Sequence, residues 1–135
     1  MLKRRYEFRA EFFDADPMGI MWHGNHVKYL EMARCRLFDE LDFNYIKMKN
    51  NGFALPIVKI DIKYINPIHF NDDFIVEISL LDCDITLKFC YIILSKDGIK
   101  ISKASTTQVA VTLDNQTLYS IPNELKTAIL KAKSL

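Results

Sequence analysis

The chain has 135 residues, of which 50% are apolar and 26% charged, with 18 basic and 17 acidic side chains and a net charge of +1. That length suits one domain, read here as residues 1–135, which can fold around an ordinary hydrophobic core without disulfide or metal staples. The near-neutral balance excludes a general attraction to nucleic acid or anionic membrane, so an anionic ligand has to be met by a local patch.

The N-terminal Met-Leu-Lys-Arg-Arg-Tyr-Glu-Phe-Arg brings charge too early for the apolar core of a signal peptide. No apolar run approaches the roughly 18 residues of a membrane span. The expected location is the cytoplasm. Residues 5–12 alternate and predict a first strand. Residues 13–22 read as an irregular loop, in which Pro17 biases Asp16 towards extended backbone. From Asn25 to Leu41 the period becomes helical, with Leu30, Ala33, Leu37 and Leu41 on one stripe flanked by Val27 and Phe38. Asn25 suits the N-cap, and Glu31 and Arg34 are spaced as a surface pair. A second short helix spans Tyr45 to Asn50, ended by Asn51-Gly52.

Strands follow. Val58, Ile60, Ile62 and Tyr64 alternate with Lys59, Asp61 and Lys63, and Pro67 ends that strand. Val76, Ile78 and Leu80 alternate with Glu77 and Ser79. Residues 86–95 are apolar enough for a central strand, and Lys96-Asp97-Gly98 signals a hairpin turn. Residues 100–113 predict a last long strand with Val109, Val111 and Leu113 on one face. The tail from Pro122 predicts a helix with Leu125, Ala128, Ile129 and Ala132 on one side. Cys35, Cys83 and Cys90 follow no metal-ligand spacing and read as reduced thiols rather than a Cys83–Cys90 bridge. The order is that of an α+β domain, in which the wide apolar face of one helix needs a curved antiparallel sheet to cover it.

The segment from Phe13 to His26 differs from the rest. It holds two carboxylates, two histidines, two glycines and the only tryptophan, just ahead of the longest helix. Helix starts expose unpaired N–H groups and favour developing negative charge. A carboxylate beside such donors is a pair suited to acyl chemistry. Asp16-Pro17-Met18-Gly19 also has the spelling of an ordinary β-turn, and spacing alone leaves both readings open.

Asp14-Ala15-Asp16-Pro17-Met18-Gly19-Ile20, then Trp22-His23-Gly24-Asn25 and the helix Tyr29-Leu30-Glu31-Met32-Ala33-Arg34, resembles the signature of the 4-hydroxybenzoyl-CoA thioesterase-like hotdog family. That family includes the acyl-CoA thioesterases of Tol–Pal gene clusters. Pro56-Ile57-Val58 and Pro67 followed by Asn71-Asp72 match its layout, so the resemblance covers nearly the whole chain. It implies a hotdog fold, with a curved antiparallel sheet around one long helix, and assembly as a homodimer or homotetramer with sites at the interface. It implies hydrolysis of an acyl-CoA thioester, with coenzyme A as part of the substrate and no further cofactor or metal. Asp16 falls on the family's catalytic aspartate. His23 falls where a backbone N–H at the helix start polarises the thioester carbonyl. Another branch of the family uses a helical glutamate, a role in which Glu31 is imaginable, but Asp16 places this chain in the loop-aspartate branch.

Gly19, Ile20 and Trp22 are the expected substrate-binding residues of the loop, and Lys59 and Lys88 the expected partners of the coenzyme A phosphates, with Lys63 and Lys103 as further candidates. The family's hydroxybenzoyl-specific members carry a basic cluster where this chain has Asp82-Cys83-Asp84-Ile85-Thr86-Leu87-Lys88, a departure that argues against assuming an aromatic acyl group. Asp14 is expected to shape the loop by accepting backbone N–H bonds; lying two residues from Asp16 on extended backbone, it would share a side with it. His23 and His26, three apart, suggest a metal pair with Asp16, but a complete site needs at least three well-placed protein ligands, and no metal site is expected. His69, after Pro67, is expected to be solvated. The other functions in view are hydrolysis of an acyl-carrier-protein thioester, a dehydratase, and a non-catalytic acyl-CoA-binding hotdog module.

Overall fold

Apolar alternation along the strands and a 3.6-residue stripe along the long helix assemble one layer against another. The computed structural model describes residues 2–133; Met1, Ser134 and Leu135, the ends of the expected domain, lie outside the described residues. In chain order the elements are β1 (Lys3–Arg9), a 3-10 turn (Phe12–Asp14), α1 (Asn25–Glu40), α2 (Tyr45–Asn50), β2 (Phe53–Ala54), β3 (Ile57–Tyr64), β4 (Asp73–Cys83), β5 (Leu87–Ser95), β6 (Lys100–Gln108), β7 (Val111–Thr112) and α3 (Asn123–Lys133).

Five strands form an antiparallel sheet in the order β1-β4-β5-β6-β3. Its inner face carries Phe74, Val76 and Ile78 of β4 and Phe89, Tyr91 and Ile93 of β5, all buried. Against it lie Leu30, Ala33, Leu37 and Phe38 of α1, also buried. Edge-on ring contacts pin the helix at intervals: Tyr29 to Phe74 at 4.8 Å between centroids, and Phe38 to Phe89 at 6.0 Å. The sheet reaches round α1 from both edges. On the β1 side Phe8 meets Tyr29 and the Tyr6 hydroxyl donates to Glu40. On the β3 side Tyr64 meets His26. Register shifts at Ile57/Lys59, Leu80/Asp82 and Ile93/Leu94 bend the strands that make this curve. The arrangement is the α+β architecture that the sequence predicts.

Several boundaries differ. The first strand begins earlier and ends at Arg9, because Phe12–Asp14 turns into a 3-10 helix rather than continuing. The long strand expected over 100–113 is two: β6 ends at Gln108, and β7 pairs instead with β2, a two-residue strand unseen in the pattern. Of the three residues expected on one face there, Val111 is buried while Leu113 is exposed. Asn25 is the first helical residue and Gly24 stands at the N-cap, with no side-chain cap; the Asn25 amide donates to the Asp14 carbonyl instead, at 2.9 Å. All three cysteines are free.

The largest departure concerns Arg34. It is not half of a surface pair but is 2% exposed. Its Nε donates to the Tyr45 hydroxyl and its Nη1 to the Tyr91 hydroxyl, both at 3.0 Å, while Nη2 meets half-exposed Glu31. Tyr91 shares a 2.7 Å bond with Thr106, and the Gln108 amide donates to the Tyr45 oxygen at 3.3 Å and to the Leu55 carbonyl at 2.7 Å. The network ties α1, α2, β5 and β6 together. Removing the guanidinium takes one partner from each hydroxyl and the packed volume of a fully buried side chain from beneath α1. Arg34→Ala is therefore expected to lower stability by about 3 kcal/mol, and Glu31→Gln by less than about 1 kcal/mol. Urea unfolding measures both; equal losses in the two variants would contradict this account.

Candidate active site

The loop before α1 is a miniature hairpin rather than irregular chain. Asp16 N–H donates to the Ile20 carbonyl at 2.8 Å, Trp22 N–H to the Asp14 carbonyl at 2.9 Å, and Ala15 bridges Met21. Its tip is the β-turn spelled by Asp16-Pro17-Met18-Gly19, closed by Gly19 N–H to the Asp16 carbonyl at 3.0 Å. Gly19 has φ +78°, which glycine adopts without strain. A neighbouring segment holds the hairpin in place. Met21 N–H donates to the Ile68 carbonyl at 2.7 Å, and Phe70 N–H to the Gly19 carbonyl at 2.9 Å. His69, whose side chain is exposed as expected, thus contributes its backbone, bridging Ile20.

Asp14 anchors the other end. Its carboxylate is 1% exposed and accepts from Glu11 N–H at 3.0 Å, from the Tyr29 hydroxyl and from the Lys28 ammonium. Burial pushes its pKa up, but the Lys28 ammonium, the Tyr29 hydroxyl and the Glu11 N–H outweigh that and hold it below the usual carboxylate range. Asp14 shapes the loop as expected, though mainly through side-chain donors. The 3-10 turn also rotates it away from the cleft that Asp16 lines, so the two do not share a side.

Asp16 lines an open cleft of about 440 Å³ together with Ile20, Met21, His23, His26 and the run Tyr64–Pro67. Its Oδ1 accepts from Met18 N–H at 2.8 Å and Ile20 N–H at 3.3 Å. The turn reading and the functional reading are therefore compatible, since one oxygen closes the turn. The other oxygen, Oδ2, has no hydrogen-bond partner among the described residues. A depression of about 640 Å³ near Glu40, Asp42 and Glu124 is larger, but no residue of the loop from Phe13 to His26 lines it.

The start of α1 supplies the donors. Asn25 N–H turns back to the Trp22 carbonyl at 2.8 Å and His26 N–H to the His23 carbonyl at 3.2 Å. The N–H groups of His23 and Gly24 have no acceptor among the described residues. The Trp22 ring packs over Gly24, where an added Cβ would stand 2.3 Å from it, so any side chain at 24 would displace the ring. Trp22 is 54% exposed and tilts against the His23 ring at 5.4 Å.

Of the expected substrate-binding residues, Gly19, Ile20 and Trp22 gather at this hairpin. Lys59 and Lys88 do not. They lie on the outer face of the sheet, on either side of Thr107, and both are exposed. His23, His26 and Asp16 share the cleft wall, yet among the described residues no three His, Cys, Asp or Glu side chains gather as a metal cluster.

Sequence reasoning missed Tyr64, whose hydroxyl donates to the His23 carbonyl at 2.7 Å, and passed over His26 as anything but a metal ligand. Nothing in the alternation of β3 distinguishes Tyr64 from its apolar neighbours. His26 is 3% exposed, with Nδ1 3.5 Å from the Ser102 hydroxyl. Burial, with a smaller contribution from His23, lowers its pKa from the ordinary 6.5 to about 4. Above pH 6.5 His26 is neutral whether the chain is folded or unfolded. Between 6.5 and about 4 only the unfolded chain takes the proton, so stability falls as pH drops through that window. Between pH 7 and pH 5 the wild type is expected to lose about 2 kcal/mol more stability than His26→Leu. Parallel denaturation curves at the two pH values test this, and equal losses would refute it.

Residues 11–129 match the model of a family described as the thioesterase-like superfamily. The chain is 31% identical over 121 residues to the "Putative esterase" of Aquifex aeolicus, covering 89% of this chain and 92% of that one. It is 22% identical over 124 residues to the 1,4-dihydroxy-2-naphthoyl-CoA hydrolase of Thermosynechococcus vestitus, covering 90% and 85%. Among solved structures, a hypothetical protein of Aquifex aeolicus with 30% identity superposes at a TM-score of 0.85, over 93% of this chain and 98% of that one. The DHNA-CoA thioesterase of Staphylococcus aureus, at 22% identity, shares the fold at a TM-score of 0.88, over 100% and 93%.

Proposed function

Because the chain belongs to the thioesterase-like superfamily, we propose that Asp16 is the catalytic carboxylate of its hydrolytic reaction. The protein is an acyl-CoA thioesterase of hotdog fold, converting a thioester and water into a free acid and coenzyme A. Within the superfamily we place it in the branch of the Tol–Pal-associated acyl-CoA thioesterases, on the spelling of the loop and the helix that follows. We place it in the cytoplasm; among the described residues no helix is long and apolar enough to cross a membrane.

One observation carries the assignment of the site. Asp16, with a free carboxylate oxygen, and His23, at the approach to α1, line the same cleft, and the His23 and Gly24 amides have no acceptor among the described residues. In the general-base route Asp16 Oδ2 takes a proton from water as the water oxygen adds to the thioester carbon. The carbonyl electron pair moves onto oxygen, facing the His23 and Gly24 N–H groups. Collapse of that adduct breaks the C–S bond, and the thiolate of coenzyme A takes up the proton that Asp16 holds, which restores the carboxylate. In the nucleophilic route Oδ2 itself attacks the thioester carbon, the C–S bond breaks and the thiolate of coenzyme A leaves; water then cleaves the mixed anhydride to the free acid and the Asp16 carboxylate, its remaining proton going to the thiolate. In both, the amides and the helix dipole act where charge develops, which is where fixed donors are most effective. No cofactor beyond the coenzyme A of the substrate enters this scheme. The adenosine phosphates are assigned to the outer-face lysines Lys59 and Lys88, reached along the sheet surface or from a second protomer.

Asp16→Asn keeps an oxygen for the Met18 and Ile20 amides, so the loop should hold its shape. We expect its kcat to fall by about 10²–10⁴. His23→Ala retains the backbone donor and should cost only about tenfold. Hydrolysis assays across acyl-CoAs from acetyl to palmitoyl, with benzoyl, measure both variants. Near-wild-type turnover by pure Asp16→Asn would remove Asp16 from the mechanism; a His23→Ala enzyme as inactive as Asp16→Asn would make the imidazole the base.

We further propose a homodimer or homotetramer. The edge strand β3 exposes Val58 at 57% and Ile60 at 39%, beside a row of unpaired backbone groups, a combination that pairing between copies would cover. Light scattering is expected to give at least a dimer; an active monomer would count against it.

A further inference from the structure

Tyr64 is the last residue of the edge strand β3, yet its hydroxyl reaches the start of α1, donating to the His23 carbonyl at 2.7 Å. Its ring meets the His26 imidazole edge-on with centroids 4.9 Å apart, and the His23 imidazole at 5.8 Å. It also lines the cleft that contains Asp16.

The carbonyl it binds is already part of the first helical turn, accepting from His26 N–H at 3.2 Å. One such bond near a helix end leaves the peptide plane free to rock, because terminal turns fray. The second donor removes that freedom. The His23 carbonyl and the Gly24 N–H are opposite ends of one planar trans peptide, so holding the carbonyl aims the amide the other way. A hydrogen bond to the carbonyl also polarises the peptide and makes its N–H a stronger donor. On the far side the Trp22 ring lies against Gly24 and limits movement there. The neighbouring Trp22–His23 peptide has one such bond, from Asn25 N–H to the Trp22 carbonyl at 2.8 Å, and no second donor among the described residues.

We infer that Tyr64 is a positioning residue for thioester hydrolysis: its hydroxyl orients the His23–Gly24 peptide so that the Gly24 N–H is aimed, before reaction, at the oxygen that becomes negative. This rests on the thioesterase reading above and deepens it. Tyr64 touches no reacting atom itself. Its effect is realised when charge builds on the carbonyl oxygen, so it belongs in kcat rather than in KM.

Tyr64→Phe removes only the hydroxyl, from a side chain that is 45% exposed, and keeps the ring contacts. We expect kcat to fall by about 5- to 20-fold with KM within about twofold. Calorimetric binding of two unreactive ligands supplies a readout that a purely structural role would not move. One is an S-alkyl coenzyme A thioether, which has no carbonyl. The other is the ketone analogue, in which a methylene separates sulfur from the carbonyl. The variant should bind the thioether as the wild type does and the ketone about fivefold more weakly. Unchanged kcat, or equal weakening of both ligands, would overturn the inference while leaving the thioesterase reading intact. A wild-type protein that hydrolyses no acyl-CoA and binds neither ligand would overturn that reading, and this inference with it.

Discussion

A buried carboxylate cannot remain charged alone, and the surroundings of Asp14 are organised by that constraint. Its side chain gathers the Glu11 amide, the Tyr29 hydroxyl and the Lys28 ammonium, while its carbonyl accepts from Trp22 N–H and the Asn25 amide. One residue thereby joins the end of β1, the loop hairpin and the first two turns of α1. Left unpaired, the charge would cost several kcal/mol. The chain avoids that penalty by bringing the loop and the helix start together, which sets the two sides of the cleft.

Rigid packing beneath transmits this placement. The aromatic rings of Phe8, Tyr29 and Phe74 meet where β1, α1 and β4 converge, directly under the Asp14 anchor. Farther along α1, Arg34 fixes the helix against β5 and α2 through hydroxyl acceptors rather than a buried counter-ion. The N-terminal turn of α1 is thus held from below by packing and from the sides by Asp14 and Tyr64. A helix start held this way can present its unpaired amides without reorganising, which is what stabilisation of a developing negative charge requires.

In the proposed mechanism Asp16 serves fold and chemistry together. Its Oδ1 closes the turn through Met18 and Ile20, which orients the carboxylate on the cleft wall and leaves Oδ2 unpaired among the described residues. A turn of this spelling is common, and nothing local separates a structural from a catalytic one. What supports the proposed catalytic role here is the company: the start of α1, and the strand end at Tyr64 that reaches His23 from 41 residues away.

The elements and the neighbourhood of the site were legible from local pattern. Alternation along β3, β4 and β5, the stripe Leu30–Ala33–Leu37, and a loop rich in Asp, Gly and His ahead of a long helix are local patterns, and local patterns survive in the order of residues. The division of residues 100–113 into β6 and β7 was not legible, because Val111 is recruited by Phe53–Ala54, a pairing partner with no pattern of its own. Arg34 read as a surface residue because its spacing from Glu31 fits an exposed pair, and only the arrival of Tyr45 and Tyr91 makes its burial tolerable. Lys59 and Lys88 read as neighbours of the site, but strand register sends them to the outer face. The Lys28–Asp14 ion pair, the buried His26 and the reach of Tyr64 to His23 likewise depend on which distant elements meet. Tertiary structure decided them because burial and partner choice are properties of the packed chain, whereas periodicity and turn chemistry belong to the sequence alone.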